Sequence, residues 1–200
     1  MIETAFFQFD DPAHLASSVC SLSSPIDRRW AGVVALSPNQ TLHLQSPARH
    51  DVFLLRGILI EFDTIHRIGT FITRHLATTL QAGSDGALCY VYRDIVQPVS
   101  ASVTVAEHDQ KWFTTRQGMK VALLNTISDQ VMLVSWSAGT RIPFHRHRSG
   151  EDIFVLSGEL SDERGHYRAG SWLRFHDDEG HAPYAEMATL ILLRNGHLTA

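Results

Sequence analysis

The residues best suited to chemistry in this chain lie in Gly139-Thr-Arg-Ile-Pro-Phe-His145-Arg-His147-Arg-Ser-Gly-Glu151-Asp-Ile-Phe-Val-Leu-Ser-Gly158 and in Gly180-His181-Ala-Pro183. Alternate side chains of an extended strand share a face, so His145 and His147 present two imidazoles to one point. Arg148-Ser-Gly150 leaves room for a turn, after which Glu151 returns a carboxylate on the neighbouring strand toward the same point. His181 arrives later, after a hairpin, and completes a set of three nitrogens and one oxygen. An HxH pair alone, in a chain with twelve histidines, is as readily a polar edge-strand face. Together the four could hold one divalent transition metal per chain, and three nitrogens with one oxygen are acceptable to zinc, iron, manganese or nickel alike.

The elements that must position these residues read as strands. Val121-Ala-Leu-Leu, Val131-Met-Leu-Val-Ser-Trp136, Ile153-Phe-Val-Leu156 and Leu190-Ile-Leu-Leu193 are short apolar runs separated by Gly, Asp, Ser and Pro, the pattern of an all-β sandwich or barrel. The best helix candidate is Asp11-Pro-Ala-His-Leu-Ala-Ser-Ser, with Asp11 as cap and Pro12 in the first helical position. Ser161-Asp-Glu-Arg-Gly165 reads as a hairpin turn, with the glycine available for positive φ.

The chain also repeats itself. Asp51-Val-Phe-Leu-Leu-Arg-Gly57 lies over Asp152-Ile-Phe-Val-Leu-Ser-Gly158, a shift of 101 residues that also places Arg67 on Arg168, Gly69 on Gly170, His75 on His176 and Arg93 on Arg194 without a gap. The repeat overrides the helical propensity of Arg74-His-Leu-Ala-Thr-Thr-Leu-Gln, because its partner, Phe175-His-Asp-Asp-Glu-Gly-His-Ala, reads as a loop between strands. It divides the chain near Gln97-Pro98 into residues 1–98 and 99–200. The same shift carries the four ligand positions onto Leu44, Ser46, His50 and Leu80, so only the second half is expected to bind metal.

Gly139 to Gly158 resembles the first motif of the cupin superfamily, G-x5-HxH-x3-E-x6-G, at every specified position. Gly170 and His181 meet the second motif, but His176, Asp178 and Ala185 stand where the family has proline, glycine and asparagine. Trp112, Gly118-Met-Lys-Val-Ala-Leu-Leu, the stretch from Gly150 through Asp162-Glu-Arg-Gly-His-Tyr167 to Arg174, and His181-Ala-Pro183 are similar to the ChrR-type cupins. The resemblance implies two tandem cupin barrels (double-stranded β-helix, jelly roll): a degenerate one without a metal site over 1–98 and a metal-binding one over 99–200. It makes Arg174 a candidate for holding an anion or backing the metal ligands, with a surface salt bridge as the alternative. Alternation from Glu151 places Ile153 and Val155 in the barrel interior, beside the ion, as a small apolar chamber.

In the resembled family a cupin domain, zinc-bound in the founding anti-sigma factor, follows an N-terminal zinc domain that holds the sigma factor. The HxxxCxxC signature of that domain is missing: His14 is followed by Cys20 alone, so a sigma-factor partner is not carried over. Two functions remain, a metal-binding cupin that senses or binds a small ligand, and a non-haem Fe(II) dioxygenase cleaving a small ketone or diketone. Composition narrows the setting. A net charge of -4 without a basic stripe argues against nucleic acid. The N-terminus lacks a signal-peptide pattern and no apolar run reaches the roughly 18 to 20 residues that span a bilayer, so a cytoplasmic protein without a membrane partner is expected. A homodimer is left open.

Overall fold

The computed structural model describes residues 2–11, 19–95, 101–115, 118–126 and 129–198. The short apolar runs become antiparallel strands as expected, and the helix among the described residues is a single 3-10 turn, Glu107–Asp109. The helix candidate beginning at Asp11 and the boundary at Gln97-Pro98 fall outside the described residues. No helix among the described residues is long and apolar enough to cross a membrane.

The chain forms two compact units, Phe9–Gln110 and Met1–Gln8 with Lys111–Ala200, rather than 1–98 and 99–200. Sheet edges explain the difference. Glu3–Phe6 pairs antiparallel with Ser171–Phe175, from Glu3 opposite Arg174 to Phe6 opposite Ser171. Phe7 is fully buried and its N–H donates to Gly170 O at 2.9 Å. The first residues thus cover an edge that would otherwise expose an unpaired ladder. At the other boundary, Val103–Val105 pairs with Phe71–Arg74 and extends the first unit beyond residue 98.

In the unit containing residues 111–200, one layer is a seven-stranded sheet in the order Glu3–Phe6, Ser171–Phe175, Glu151–Ser157, Thr189–Asn195, Gln130–Trp136, Met119–Asn125 and Trp112–Thr114. The remaining strands form a four-stranded sheet and the two-stranded ladder of His145–Arg146 with Gly180–His181. Val134, Trp136, Ile153, Leu173, Phe175 and Ile191 belong to its core. Each such side chain contributes roughly 1.5–3 kcal/mol by leaving water. The other unit is organised by two long strands, Arg49–Glu61 and Thr78–Asp94, around a core that includes Leu44, Val52, Leu54, Ile72 and Leu80.

The repeat is visible in the pairing, with its register corrected after the hairpin. His50 faces Arg74 as Glu151 faces Phe175, which reproduces the 101-residue shift. Asp51, however, faces Tyr92, whereas Asp152 faces Arg194. The last strand is therefore one residue further along, and Tyr92, not Arg93, holds the place of Arg194. A slip of one would turn the strand's buried side chains outward; Tyr92 and Arg194 are both buried while Arg93 is half-buried. The segment 74–81 is not helical: a strand ends at Arg74 and the next begins at Thr78. Ser161–Gly165 is a hairpin tip joining Glu159–Asp162 to Gly165–Arg168, but Gly165 is not at positive φ. The Asp162 carboxylate closes the turn instead, Oδ1 accepting from the N–H groups of Arg164 at 2.7 Å and Gly165 at 3.2 Å.

Candidate metal centre

Pairing of His145–Arg146 with Gly180–His181 sets His145 directly opposite His181. Gly180 permits that approach: a Cβ there would stand 2.1 Å from the His145 carbonyl oxygen, so a larger residue would force the strands apart. His147 presents to the same side, as alternation requires. Its N–H donates to Glu179 O at 2.8 Å and its carbonyl accepts from Asp178 N–H at 3.0 Å. Ring centroids are 4.8 Å apart for His145 and His147, 5.0 Å for His147 and His181, and 5.1 Å for His145 and His181. One ligand nitrogen from each lies within 4.8 Å of the others. Phe175 forms the floor, its ring centroid 4.4 Å from that of His181.

Glu151 comes from the other layer. It was expected on the strand beside the histidines, but it opens Glu151–Ser157, whose partners are Ser171–Phe175 and Thr189–Asn195 in the seven-stranded sheet. Ser149 at φ 61° and Gly150 at φ 76°, both left-handed, carry the chain between layers. The carboxylate then reaches the imidazoles, Oε2 lying 3.3 Å from His147 Nδ1 and Oε1 3.8 Å from His181 Nε2.

Burial, reinforced by the charges His181 and His145 would carry, pushes His147 down to about 3. Burial also lowers His181, against the pull of Asp162. Both rings are neutral at pH 7 and keep a lone pair for a ligand bond. Burial and the neighbouring Asp152 push Glu151 up to about 8, so without a cation it retains its proton; a divalent ion would reverse that. His147 Nε2 is buried with no hydrogen-bond partner among the described residues. His145 Nδ1 lies 3.0 Å from Pro143 O, and the tautomer that donates there leaves Nε2 to bind. An orphaned imidazole nitrogen, two further imidazoles and a buried carboxylate fit a transition metal.

A cavity of about 230 Å³ touches His145, Glu151 and His181, and its remaining wall is largely apolar, with Met119, Met132, Trp136, Ile153, Leu160 and Ile191. Ile153 lines it as expected; Val155 is buried in the core but is not part of the wall. Arg174 is neither at the chamber nor at the surface. It is 1% exposed, on the strand face opposite Phe175, and donates from Nε and Nη2 to the two Asp152 oxygens at 2.8 and 2.7 Å. In the other unit, Leu44 and Leu80 belong to the apolar core and His50 is buried; pairing corrects the last of the shifted positions, since Leu44 faces Thr78 as His145 faces His181, so Thr78 and not Leu80 stands at the place of His181.

Several contributors were not foreseen. Phe175 underlies the ligands. The acidic segment 177–179 ties down the histidine strand: Asp177 Oδ1 accepts from Ser149 N–H at 2.7 Å and Asp178 O from Arg146 Nη1 at 2.6 Å. Asp162 Oδ2 lies 3.4 Å from His181 Nδ1. The resemblance had quoted Asp162 and its neighbours without giving them a role.

The ChrR cupin-like domain model matches residues 100–199. No curated protein matches the chain in sequence. Among solved structures, protein Ylba from E. coli superposes with TM-score 0.72 at 10% identity, covering 91% of this chain and 84% of that one. Salicylate 1,2-dioxygenase from Pseudoaminobacter salicylatoxidans, as its G106A mutant, gives TM-score 0.71 at 10% identity over 89% and 75%. Bacillus subtilis oxalate decarboxylase, described with Mn(II) centres, gives 0.64 at 12% over 86% and 70%. At these identities the likeness is one of fold.

Proposed function

Since the chain belongs to the ChrR cupin-like family, we propose that its 111–200 barrel holds one divalent transition metal on His145, His147, His181 and Glu151 and binds a small organic ligand beside it. The carrying observation is the convergence of three imidazoles at the wall of an apolar cavity. A bound ion would supply a Lewis-acidic centre and, if it were iron, a redox-active one. The chain's own part is to keep the buried imidazoles of His147 and His181 neutral, to offer Glu151 as a charge-balancing ligand, and to exclude bulk water with Met119, Met132 and Ile153.

The chamber also favours a ligand class. A cavity of about 150 Å³ admits a benzene ring, so 230 Å³ suits a ring or short chain with a substituent. Neither arginine nor lysine stands among its described lining residues, and the expected cation, Arg174, is held by Asp152. Two structural neighbours are named for salicylate and oxalate, both carboxylates. This chamber better suits an uncharged carbonyl compound that meets the metal through oxygen.

A second reading, a non-haem Fe(II) dioxygenase of a small ketone or diketone, is favoured by the direct contact of the chamber with three of the four ligand residues. Isolation without added metal or chelator, followed by elemental analysis and an oxygen electrode, separates the two. Zinc in the isolate, with ligands that raise the melting temperature but consume no oxygen after Fe(II) reconstitution, supports the binding or sensory role. Oxygen uptake on ketones, diketones or phenolic ketones that requires Fe(II) and is abolished by zinc makes the protein an enzyme.

A further inference from the structure

Three consecutive residues at the tip of the 159–168 hairpin each grip one of three consecutive residues around the last ligand. Asp162 Oδ2 faces His181 Nδ1 at 3.4 Å. Glu163 Oε2 accepts from Ala182 N–H at 2.9 Å. Arg164 donates from Nη2 to Gly180 O at 2.8 Å, with its guanidinium 5.8 Å above the Phe175 ring. The grip is itself braced: Asp162 Oδ1 accepts from Tyr167 Oη at 3.1 Å as well as from the turn N–H groups, and Arg164 Nη1 donates to Glu163 Oε1 at 2.6 Å. We propose that Asp162, Glu163 and Arg164 form a clamp that positions His181 for the metal, an inference that rests on the metal-centre reading above.

The other half of the chain supplies an internal comparison. Its matching hairpin has the same two-residue tip, with Glu61 opposite Thr64, but carries Phe62 and Asp63 where Glu163 and Arg164 stand. Phe62 is 88% exposed, and Glu61 turns to Arg74, whose Nε donates to it at 2.7 Å, and to His66 at 3.3 Å. Pairing puts Thr78 at the ligand position there, since Leu44 faces Thr78 as His145 faces His181 and Ile60 faces Gln81 as Ser161 faces Tyr184, and Thr78 Oγ1 donates to Glu61 Oε1 at 3.4 Å. The half without the histidine keeps a carboxylate at this position, there bonded to a threonine, and has neither the glutamate nor the arginine of the tip. The clamp also supplies what the departures from the second cupin motif remove: His176, Asp178 and Ala185 replace residues that would shape the segment locally, and the hairpin tip holds that segment from outside.

The Asp162 carboxylate stands 3.4 Å from His181 Nδ1 without a formed hydrogen bond, and its charge favours the tautomer that carries the proton there and leaves Nε2 free; such partners are typically worth about 10- to 100-fold in metal affinity. Asp162→Asn keeps an oxygen for the turn while removing the charge facing His181, and Glu163→Ala alters an exposed tip. Zinc affinity, measured by competition with a chromophoric chelator, should fall about 10- to 100-fold in Asp162→Asn and measurably in Glu163→Ala, with metal-free melting little changed. Nitrogen-15 spectra of the metal-free protein should show His181 protonated at Nδ1 in the wild type and a mixed tautomer in Asp162→Asn. Unchanged zinc affinity in both variants, or an unchanged His181 tautomer in Asp162→Asn, overturns the clamp. A wild type that binds no zinc overturns the metal-centre reading instead, and the tautomer still decides the clamp.

Discussion

Burial holds both Glu151 and His147 in uncharged forms in the metal-free fold, helped by Asp152 for the carboxyl and by the neighbouring histidines for the ring. The sequence reveals both residues because strand alternation and the H-x-H-x3-E spacing are local properties. It does not reveal Asp162 or Glu163 as supports, since their contacts to His181 and Ala182 are tertiary and connect a hairpin tip to a loop. Arg174 illustrates the same limit: alternation puts it opposite Phe175, but only the fold shows that Asp152 occupies its guanidinium. The raised Glu151 carboxyl has a measurable consequence. Its proton is lost from the unfolded chain near 4.3 but kept by the metal-free fold until about 8, so between these values rising pH weakens the metal-free fold. Below about 6.5 His147 acts in the opposite sense, because the unfolded ring gains a proton that the buried one refuses until about 3. Between pH 6.5 and 8, Glu151 is thus the group to read. Zinc binding should release close to one proton per ion near pH 7 and almost none from this group at pH 9, as followed by titration in two buffers of different ionisation enthalpy. No release at pH 7 would show that Glu151 exchanges no proton for the ion, either because it is already ionised in the metal-free fold or because it is not a ligand.

At the scale of elements, the site is assembled where two layers meet: a two-stranded ladder supplies the histidines and the edge of a seven-stranded sheet supplies the carboxylate. Strand identity was legible from short apolar runs between turn residues. Strand partners were not, because pairing depends on how distant segments meet, and neither the layer of Glu151 nor the placement of Glu3–Phe6 on Ser171–Phe175 follows from alternation. The N-terminal strand backs the one that ends in Phe175, the floor beneath His181. Phe7→Ala should therefore destabilise the unit containing residues 111–200 by about 3–5 kcal/mol, as read by urea unfolding of the intact chain. A cost below about 1 kcal/mol would separate the N-terminus from that core.

Across the whole molecule, the 101-residue repeat made two related β units legible, and subtraction of the shift identified the copy that retains histidines. The unit boundaries were not legible, because the strand at the start of the chain and the one at Val103–Val105 are assigned by edge pairing, not by sequence order. Each unit has its own apolar core, so neither depends on an ion for its fold in the way a zinc finger does. The central claim is one metal ion per chain, held at His145, His147, Glu151 and His181. Elemental analysis of the purified wild type, of His50→Ala and of the double variant His145→Ala/His181→Ala tests it most directly. One equivalent of transition metal is expected in the wild type, one in His50→Ala and none in the double variant, all with the same β-type circular dichroism. Two equivalents in the wild type, or metal retained by the double variant, would contradict it.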